Sequence, residues 1–209
     1  ATALKIQLCH HNWGNSRRLK QLFLDRTTLT ALPESMRHLK QLKHLSLNEC
    51  RFLKEIPEWI HSCISLEKLE AKNCVSLASL PNVLGELRSL HYLDLSWTAI
   101  EELPSSIHSL TQLTQLSING CKQVKFLPLL PHSLIRVHAA DCYEMEVIAD
   151  VSKAFDLWEL DLTGCQKLED VPGVEQLRCL KKLKLGGCRS LSNSFKKRVQ
   201  VIKCHLNEQ

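Results

Sequence analysis

The sequence predicts an α/β solenoid: a right-handed coil of short repeated units, with a parallel sheet of short strands on the concave face and irregular turns or short helices on the convex one. Three observations carry the prediction. A Leu-x-x-Leu-x-Leu pattern starts at Leu19, Leu42, Leu66, Leu90, Leu113, Leu134, Leu157 and Leu180, at intervals of 23, 24, 24, 23, 21, 23 and 23 residues. The ninth position of each unit is Thr or Cys, reading Thr27, Cys50, Cys74, Thr98, Cys121, Cys142, Cys165 and Cys188. A Leu/Ile/Val-Pro pair recurs further along, as Leu32-Pro33, Ile56-Pro57, Leu80-Pro81, Leu103-Pro104, Leu127-Pro128 and Val171-Pro172. A fixed period of this length belongs to a chain that buries its core by stacking one small unit on the next.

In chain order, residues 1–18 come first. Ala1, Leu4, Ile6 and Cys9 fit the strand spacing, but the next unit starts after only 18 residues, so a degenerate unit or an incoming edge of the coil is expected. Eight full units fill residues 19–192. In each, the three apolar positions, such as Leu42, Leu45 and Leu47, are spaced for a short strand whose alternate side chains point inward. The ninth residue follows the strand, where a small side chain can satisfy backbone groups of the turn that water cannot reach. Thr hydroxyl and Cys thiol are both small and both donate, so this column is expected to be a structural ladder. Together these features define a leucine-rich repeat, and the expected shape is the horseshoe that such repeats build.

The units fall into two subtypes. After Thr the next apolar residue comes at plus two (Leu29, Ile100), and after Cys at plus three (Leu53, Leu77, Val124, Met145, Leu168, Leu191), so Cys units carry one more residue in the turn. Each proline forces its predecessor out of the helical region and suits the start of a helix, which predicts an extended turn followed by a short, poorly regular helix. The unit starting at Leu134 has Ile148-Ala149 in place of the proline pair, and the one before it is shortened by Pro128-Leu-Leu-Pro131, so the coil is expected to be bent or irregular there. Residues 193–209 read as a carboxy-terminal extension leading toward a post-repeat domain. Neither end shows a polar capping unit, although an exposed end layer would present its core to water, and the chain reads as a piece of a longer protein.

Composition bounds the function. Of 209 residues, 44% are hydrophobic and 5% aromatic, with 27 Lys and Arg against 22 Asp and Glu. The net charge of +5 is gathered in Arg17-Arg18-Leu19-Lys20, Lys181-Lys182-Leu183-Lys184 and Lys196-Lys197-Arg198, without the stacking aromatics of a nucleic-acid stripe, so nucleic acid is not the expected partner. No stretch reaches the roughly 18 uncharged apolar residues of a membrane span, the first residues lack the blocks of a signal peptide, and no Asn-x-Ser/Thr sequon occurs. Cytoplasmic localisation is expected, with the nucleus also open to such a chain. Ten cysteines in that setting are expected as free thiols, because a disulfide between neighbouring units would remove the donor each column position supplies. A linear column cannot wrap four sulfurs round one zinc ion.

Candidate chemistry is thin. His44, His91 and His138 lie two units apart, roughly 10 Å between strands, too far to share a metal ion. Glu70 and Asp94 share the fifth position of adjacent units and form a carboxylate pair on the concave face, read here as an acceptor for a partner's Lys or Arg rather than as an acid and a base. Asp161 holds the same position in the seventh full unit. Phe23, Tyr92, Trp97 and Trp158 fall on outward positions of that face or its edge, where large aromatics are costly unless something covers them. These seven residues are the expected protein-binding set. No catalytic, metal-binding or cofactor-binding residue is assigned, and no cofactor is expected in this chain.

The phrases LDLSWTAIEELPSSIHSLTQL and LKHLSLNECRFLKEIPEWIHSC resemble the repeats of plant TIR-type nucleotide-binding leucine-rich-repeat disease-resistance receptors. LPLLPHSLIRVHAADCYEMEVI is similar to their Leu-Pro-rich terminal repeats, and SLSNSFKKRVQ to the segment leading into their post-repeat domain, so the resemblance covers about residues 19–199. It implies an intracellular immune receptor whose repeats recognise a pathogen effector or a guarded host protein and help hold the receptor inactive against its own other domains. It also implies a separate TIR domain that hydrolyses NAD and a nucleotide-binding domain that drives homo-oligomerisation, both outside this chain. No Gly-x-x-x-x-Gly-Lys-Ser/Thr loop occurs here. The alternatives are a substrate-recruiting repeat region of a larger enzyme such as a ubiquitin ligase, and a free-standing scaffold.

Overall fold

The computed structural model describes residues 16–207, with side chains through residue 200, so the degenerate unit expected over residues 1–18 lies almost wholly outside the described residues. Ten short strands follow one another: β1 (Gln21–Phe23), β2 (His44–Ser46), β3 (Lys68–Glu70), β4 (Tyr92–Asp94), β5 (Gln115–Ser117), β6 (Phe126–Leu127), β7 (Arg136–His138), β8 (Val147–Ile148), β9 (Glu159–Asp161) and β10 (Lys182–Lys184). Eight of them make one sheet in the order β1-β2-β3-β4-β5-β7-β9-β10, every neighbouring pair parallel.

Leu22, Leu45, Leu69, Leu93, Leu116, Val137, Leu160 and Leu183 stand opposite one another along this sheet. They are the fourth residue of each sequence unit, so all eight units stack without a slip. Side chains alternate along a strand, and a slip by one would expose a unit's whole apolar set at once; that penalty fixes the register. Leu42, Leu45 and Leu47, and likewise Leu90, Leu93 and Leu95, are fully buried. Each such leucine contributes on the order of 2 kcal/mol by leaving water.

On the convex side, single-turn 3-10 helices occupy Glu34–His38, Glu58–Ser62, Asn82–Glu86 and Ser105–Ser109. Pro33, Pro57, Pro81 and Pro104 immediately precede them with extended backbone, ψ 138–156°, one position earlier than the helix-starting place read from the sequence. The irregularity expected around Pro128–Pro131 and Ile148-Ala149 is real but confined to this side. The fifth and sixth units have no 3-10 helix; instead β6 pairs with β8 in a small second sheet, while β5 and β7 keep their register on the main sheet.

After the eighth unit comes α1 (Asn193–Asn207). Ser192 Oγ accepts the Phe195 amide at 3.2 Å, Phe195 and Val199 are buried, and Arg198 pairs with Asp170 and, at 3.5 Å, with Glu175. The expectation of an uncapped carboxy end is therefore corrected for the convex half of the last layer. At the strand, Leu183, Leu185 and Cys188 remain only partly buried. Among the described residues no helix is long and apolar enough to cross a membrane.

Candidate protein-recognition surface

The strand exits set the spacing of everything the main sheet displays. In six units the ninth-position thiol donates to the sixth-position carbonyl of the preceding unit: Cys50 to Leu24, Cys74 to Leu47, Cys121 to Leu95, Cys142 to Ile118, Cys165 to Ala139 and Cys188 to Leu162, all at 3.0–3.2 Å. Thr98 instead donates to Leu95 in its own unit at 2.8 Å, and Thr27 meets the Cys50 thiol at 3.2 Å. The six described column cysteines, and Cys63 and Cys179 outside the column, are free thiols. Burial pushes Cys63 and Cys188 up to about 11, and the hydrogen bond from the neighbouring thiol together with burial holds Cys74 and Cys142 well above the ordinary range. These four raised thiols are donors, not nucleophiles, while the bonds from Cys74 and Cys142 push their partners Cys50 and Cys165 down.

A second column was not read from the sequence. The eighth position of every unit lies in the left-handed region: Arg26, Glu49, Asn73, Trp97, Gly120, Asp141, Gly164 and Gly187, with φ between 59° and 80°. From Arg26 to Gly164 each donates its amide to the seventh-position carbonyl of the next unit, at 2.6–2.8 Å. The signal was present, since five of the eight are Gly, Asn or Asp, the residues that tolerate this conformation. Trp97 is the outlier: a bulky residue at φ 61°, its ring lying over Gly120, whose missing Cβ would sit 2.3 Å from Trp97 Cε3. It is 39% exposed at the rim of the sheet.

The expected binding residues sort into two groups. On the amino side, Phe23 is 56% exposed and meets His44 edge-on, ring centroids 4.8 Å apart. His44 Nε2 lies 2.6 Å from Glu70, whose other oxygen takes Lys68 Nζ at 3.2 Å. Lys68 in turn sits 4.8 Å over the Tyr92 ring, and the Tyr92 hydroxyl donates to Asp94 at 3.4 Å. Glu70 and Asp94 are register partners, as their shared position implied. Burial, with the charges of Asp94 and Glu70 beside it, pushes the Tyr92 hydroxyl up to about 12.

On the carboxy side, Trp158 stands half-buried at the edge of the sheet, one residue before β9, with Lys182 4.5 Å and Arg136 5.6 Å from the ring centre. Lys184 pairs with Glu159 at 2.9 Å and with Asp161 at 3.0 Å. The Lys184 ammonium holds the nearly buried Glu159 below the usual carboxylate range. Asp161 is held low as well, against the effect of burial, by Thr163 and Lys184. Between the groups the fifth unit presents a half-buried Gln115 and a buried Ser117 bonded to Ser96 at 2.7 Å. Of the partners, Lys68, Arg136 and Glu159 were not singled out from the sequence, and His44, Lys182 and Lys184 were noted only as a histidine and as part of a basic cluster, although their third and fifth positions in adjacent units make them neighbours of the expected binding residues. Among the described residues no group of three or more His, Cys, Asp or Glu is placed to hold a metal ion.

The Leucine Rich Repeat family profile matches residues 41–63. In sequence the chain is similar to Disease resistance protein RPS4B of Arabidopsis thaliana, 27% identical over 184 residues, and to Protein SUPPRESSOR OF npr1-1, CONSTITUTIVE 1 of the same plant, 30% identical over 166 residues. These alignments take in 88% and 79% of this chain but 13% and 11% of the relatives, so the chain spans a small part of the proteins it matches. In structure it is similar to the leucine-rich repeat domain of the type III effector XCV3220 (XopL), with a TM-score of 0.75 and 26% identity over 83% of this chain and 63% of that one. The chain is thus a leucine-rich-repeat solenoid, a protein-interaction fold, similar in sequence to a part of plant disease-resistance proteins.

Proposed function

We propose that this region senses a pathogen effector, or a host protein that an effector modifies, and in its absence helps hold an intracellular plant immune receptor inactive. The observation that carries the reading is the set of exposed or half-exposed rings, Phe23, Tyr92, Trp97 and Trp158, beside the carboxylates Glu70, Asp94 and Asp161 along the concave sheet and its edges. Rings supply buried area with little side-chain entropy to lose, and the carboxylates select a basic residue of the partner. In the free chain the same carboxylates hold Lys68, His44 and Lys184, so a partner's Lys or Arg must compete for them; that competition favours a partner whose charge pattern matches and rejects others. The residues 193–209 lead on toward a post-repeat domain, and the receptor's own domains are the second occupant of this face. Its NAD hydrolysis and oligomerisation belong to parts outside this chain, and the receptor works in the cytoplasm, with the nucleus also open to it.

Truncating a buried interface Trp or Tyr commonly costs about 2 kcal/mol or more, some thirtyfold in affinity. In the full-length receptor expressed in leaves, Tyr92→Ala and Trp97→Ala are expected either to abolish the response to the recognised effector or to give cell death without it. The first outcome places a foreign partner on this face and the second an internal one. Normal accumulation with an unchanged response and an unchanged resting state would sink the reading.

A further inference from the structure

The flank of the solenoid carries a second ladder, formed by the residues that follow each ninth-position turn. Glu55 bridges Ser79 between the second and third units, and β6 pairs with β8 between the fifth and sixth. The fourth unit lies between those two stretches and is of the Thr subtype. Its turn is one residue shorter, so Glu101 and Glu102 stand at the positions of Ala78-Ser79 and Lys125-Phe126, and among the described residues no bridge joins them to either side. Backbone pairing of the fourth unit with the third stops at Ala99, which donates to Leu77 at 2.9 Å, and beyond it the ladder is interrupted.

The edges of the gap are complementary. Lys125 and Leu127 give their carbonyls to Val147 and Ala149 of the sixth unit. By the same alternation their equivalents in the third unit, Ala78 and Leu80, turn their carbonyls toward the gap, and from the other side Phe126 turns its peptide groups toward it. Between the edges is a recess of about 800 Å3. Glu101 and Glu102 line it, exposed to solvent and in no ion pair among the described residues, and Glu144 stands at its side, paired with Lys167. Phe126 and Val147, cross-strand neighbours 45% and 54% exposed, form an apolar shelf beside it.

We propose that this recess is a docking site for an extended segment of a partner polypeptide that carries Lys or Arg between apolar residues. The segment lies parallel to β6 as the missing rung, pairing its backbone with Ala78 and Leu80 on one side and Phe126 on the other. Its cation meets Glu101 and Glu102, and its apolar residue rests on Phe126 and Val147. An exposed edge accepts a strand through main-chain hydrogen bonds while side-chain contacts choose the sequence. This site is separate from the aromatic face and stands or falls apart from it.

Fluorescence anisotropy with the whole chain and a labelled peptide, Thr-Val-Lys-Val-Lys-Thr, tests it. Two control peptides replace both Lys by Glu or methylate the two valine amide nitrogens. Two protein variants are needed: E101K/E102K on the surface, and Thr98→Cys with one Ser inserted after Ala99, which lengthens the turn so that the chain fills its own gap. The parent peptide should bind the wild-type chain at least tenfold more tightly than either control, and both variants should lose at least tenfold. Should the lengthened variant fail to fold, E101K/E102K and the methylated peptide still decide. Equal binding of the methylated peptide, binding unchanged by E101K/E102K, or no binding at millimolar peptide would each overturn the proposal.

Discussion

The main sheet and the flank ladder are built by the same eight units, yet one runs unbroken from β1 to β10 while the other, among the described residues, forms bridges between the second and third and between the fifth and sixth units and is reduced elsewhere to isolated backbone bonds such as Ala99 to Leu77 and Ser192 to Glu169. The difference lies in what sets each register. On the main sheet a slip of one residue would turn out a unit's buried leucines, a cost of several kcal/mol, so units of 21 to 24 residues all align at their fourth position. On the flank the register depends on the length of one turn. Cys units close it with a bond from the apolar residue back to the cysteine, Leu53 to Cys50 or Val124 to Cys121, and the Thr unit at Thr98 omits that turn. Deep burial buffers the sheet against changes in unit length, and a shallow flank has no such protection.

If burial is what holds the main sheet, the largest loss should come from its centre. Leu93→Ala is expected to destabilise the chain by about 3 kcal/mol, read by urea unfolding, because the leucine is fully buried in a tight layer. A loss under about 1 kcal/mol would show that the layers slide to fill the space. The next largest effect concerns the strand exits. Gly120→Ala places a Cβ against the Trp97 ring at a backbone angle of φ 68° and is expected to cost about 2 kcal/mol. In a Trp97→Ala background the same change should cost about half as much, because the clash is gone and only the backbone strain is left. Additive losses would mean that the ring and the glycine do not share space.

The smallest effect is electrostatic. Lys184 depresses Glu159 in the folded chain below its unfolded value of about 4.3, so the pairing contributes stability above that pH and loses it as pH falls through the folded value. Wild type should therefore lose more stability than Glu159→Gln between about pH 5 and pH 3, with little difference between them at pH 7 after correction for the substitution itself. Parallel curves would place Glu159 outside the ion pair in solution.

How much of this could be read from the sequence follows from the same contrast. The strand of every described unit, its register and the thiol ladder were legible, because Leu-x-x-Leu-x-Leu and the Thr/Cys column repeat at fixed offsets and each repetition sharpens the others. The left-handed eighth column was present in Asn73, Asp141 and the glycines but was masked by Trp97, Glu49 and Arg26, ordinary residues held there by the amide bond each makes to the next unit. The Cys and Thr subtypes were visible as a one-residue difference, whereas the gap it opens was not, because it appears only when three consecutive turns are laid side by side. Of the candidate surface, the sequence placed Phe23, Glu70, Tyr92 and Asp94 on their strands and Trp158 at the adjoining edge, one residue before β9. It did not foresee that the carboxylates and rings already hold cations of their own chain, since a side chain's partner in the next unit depends on rotamers that a repeat pattern does not encode.

The claim that the aromatic face is where this chain meets its partners is tested most directly by hydroxyl-radical footprinting of the full-length receptor at rest, the same receptor after exposure to its recognised effector, and the chain alone. Tyr92, Trp97 and Trp158 should be oxidised freely in the chain alone and protected in at least one state of the receptor, with buried Trp59 slow throughout. Equal oxidation of the three exposed rings in all three samples would contradict it.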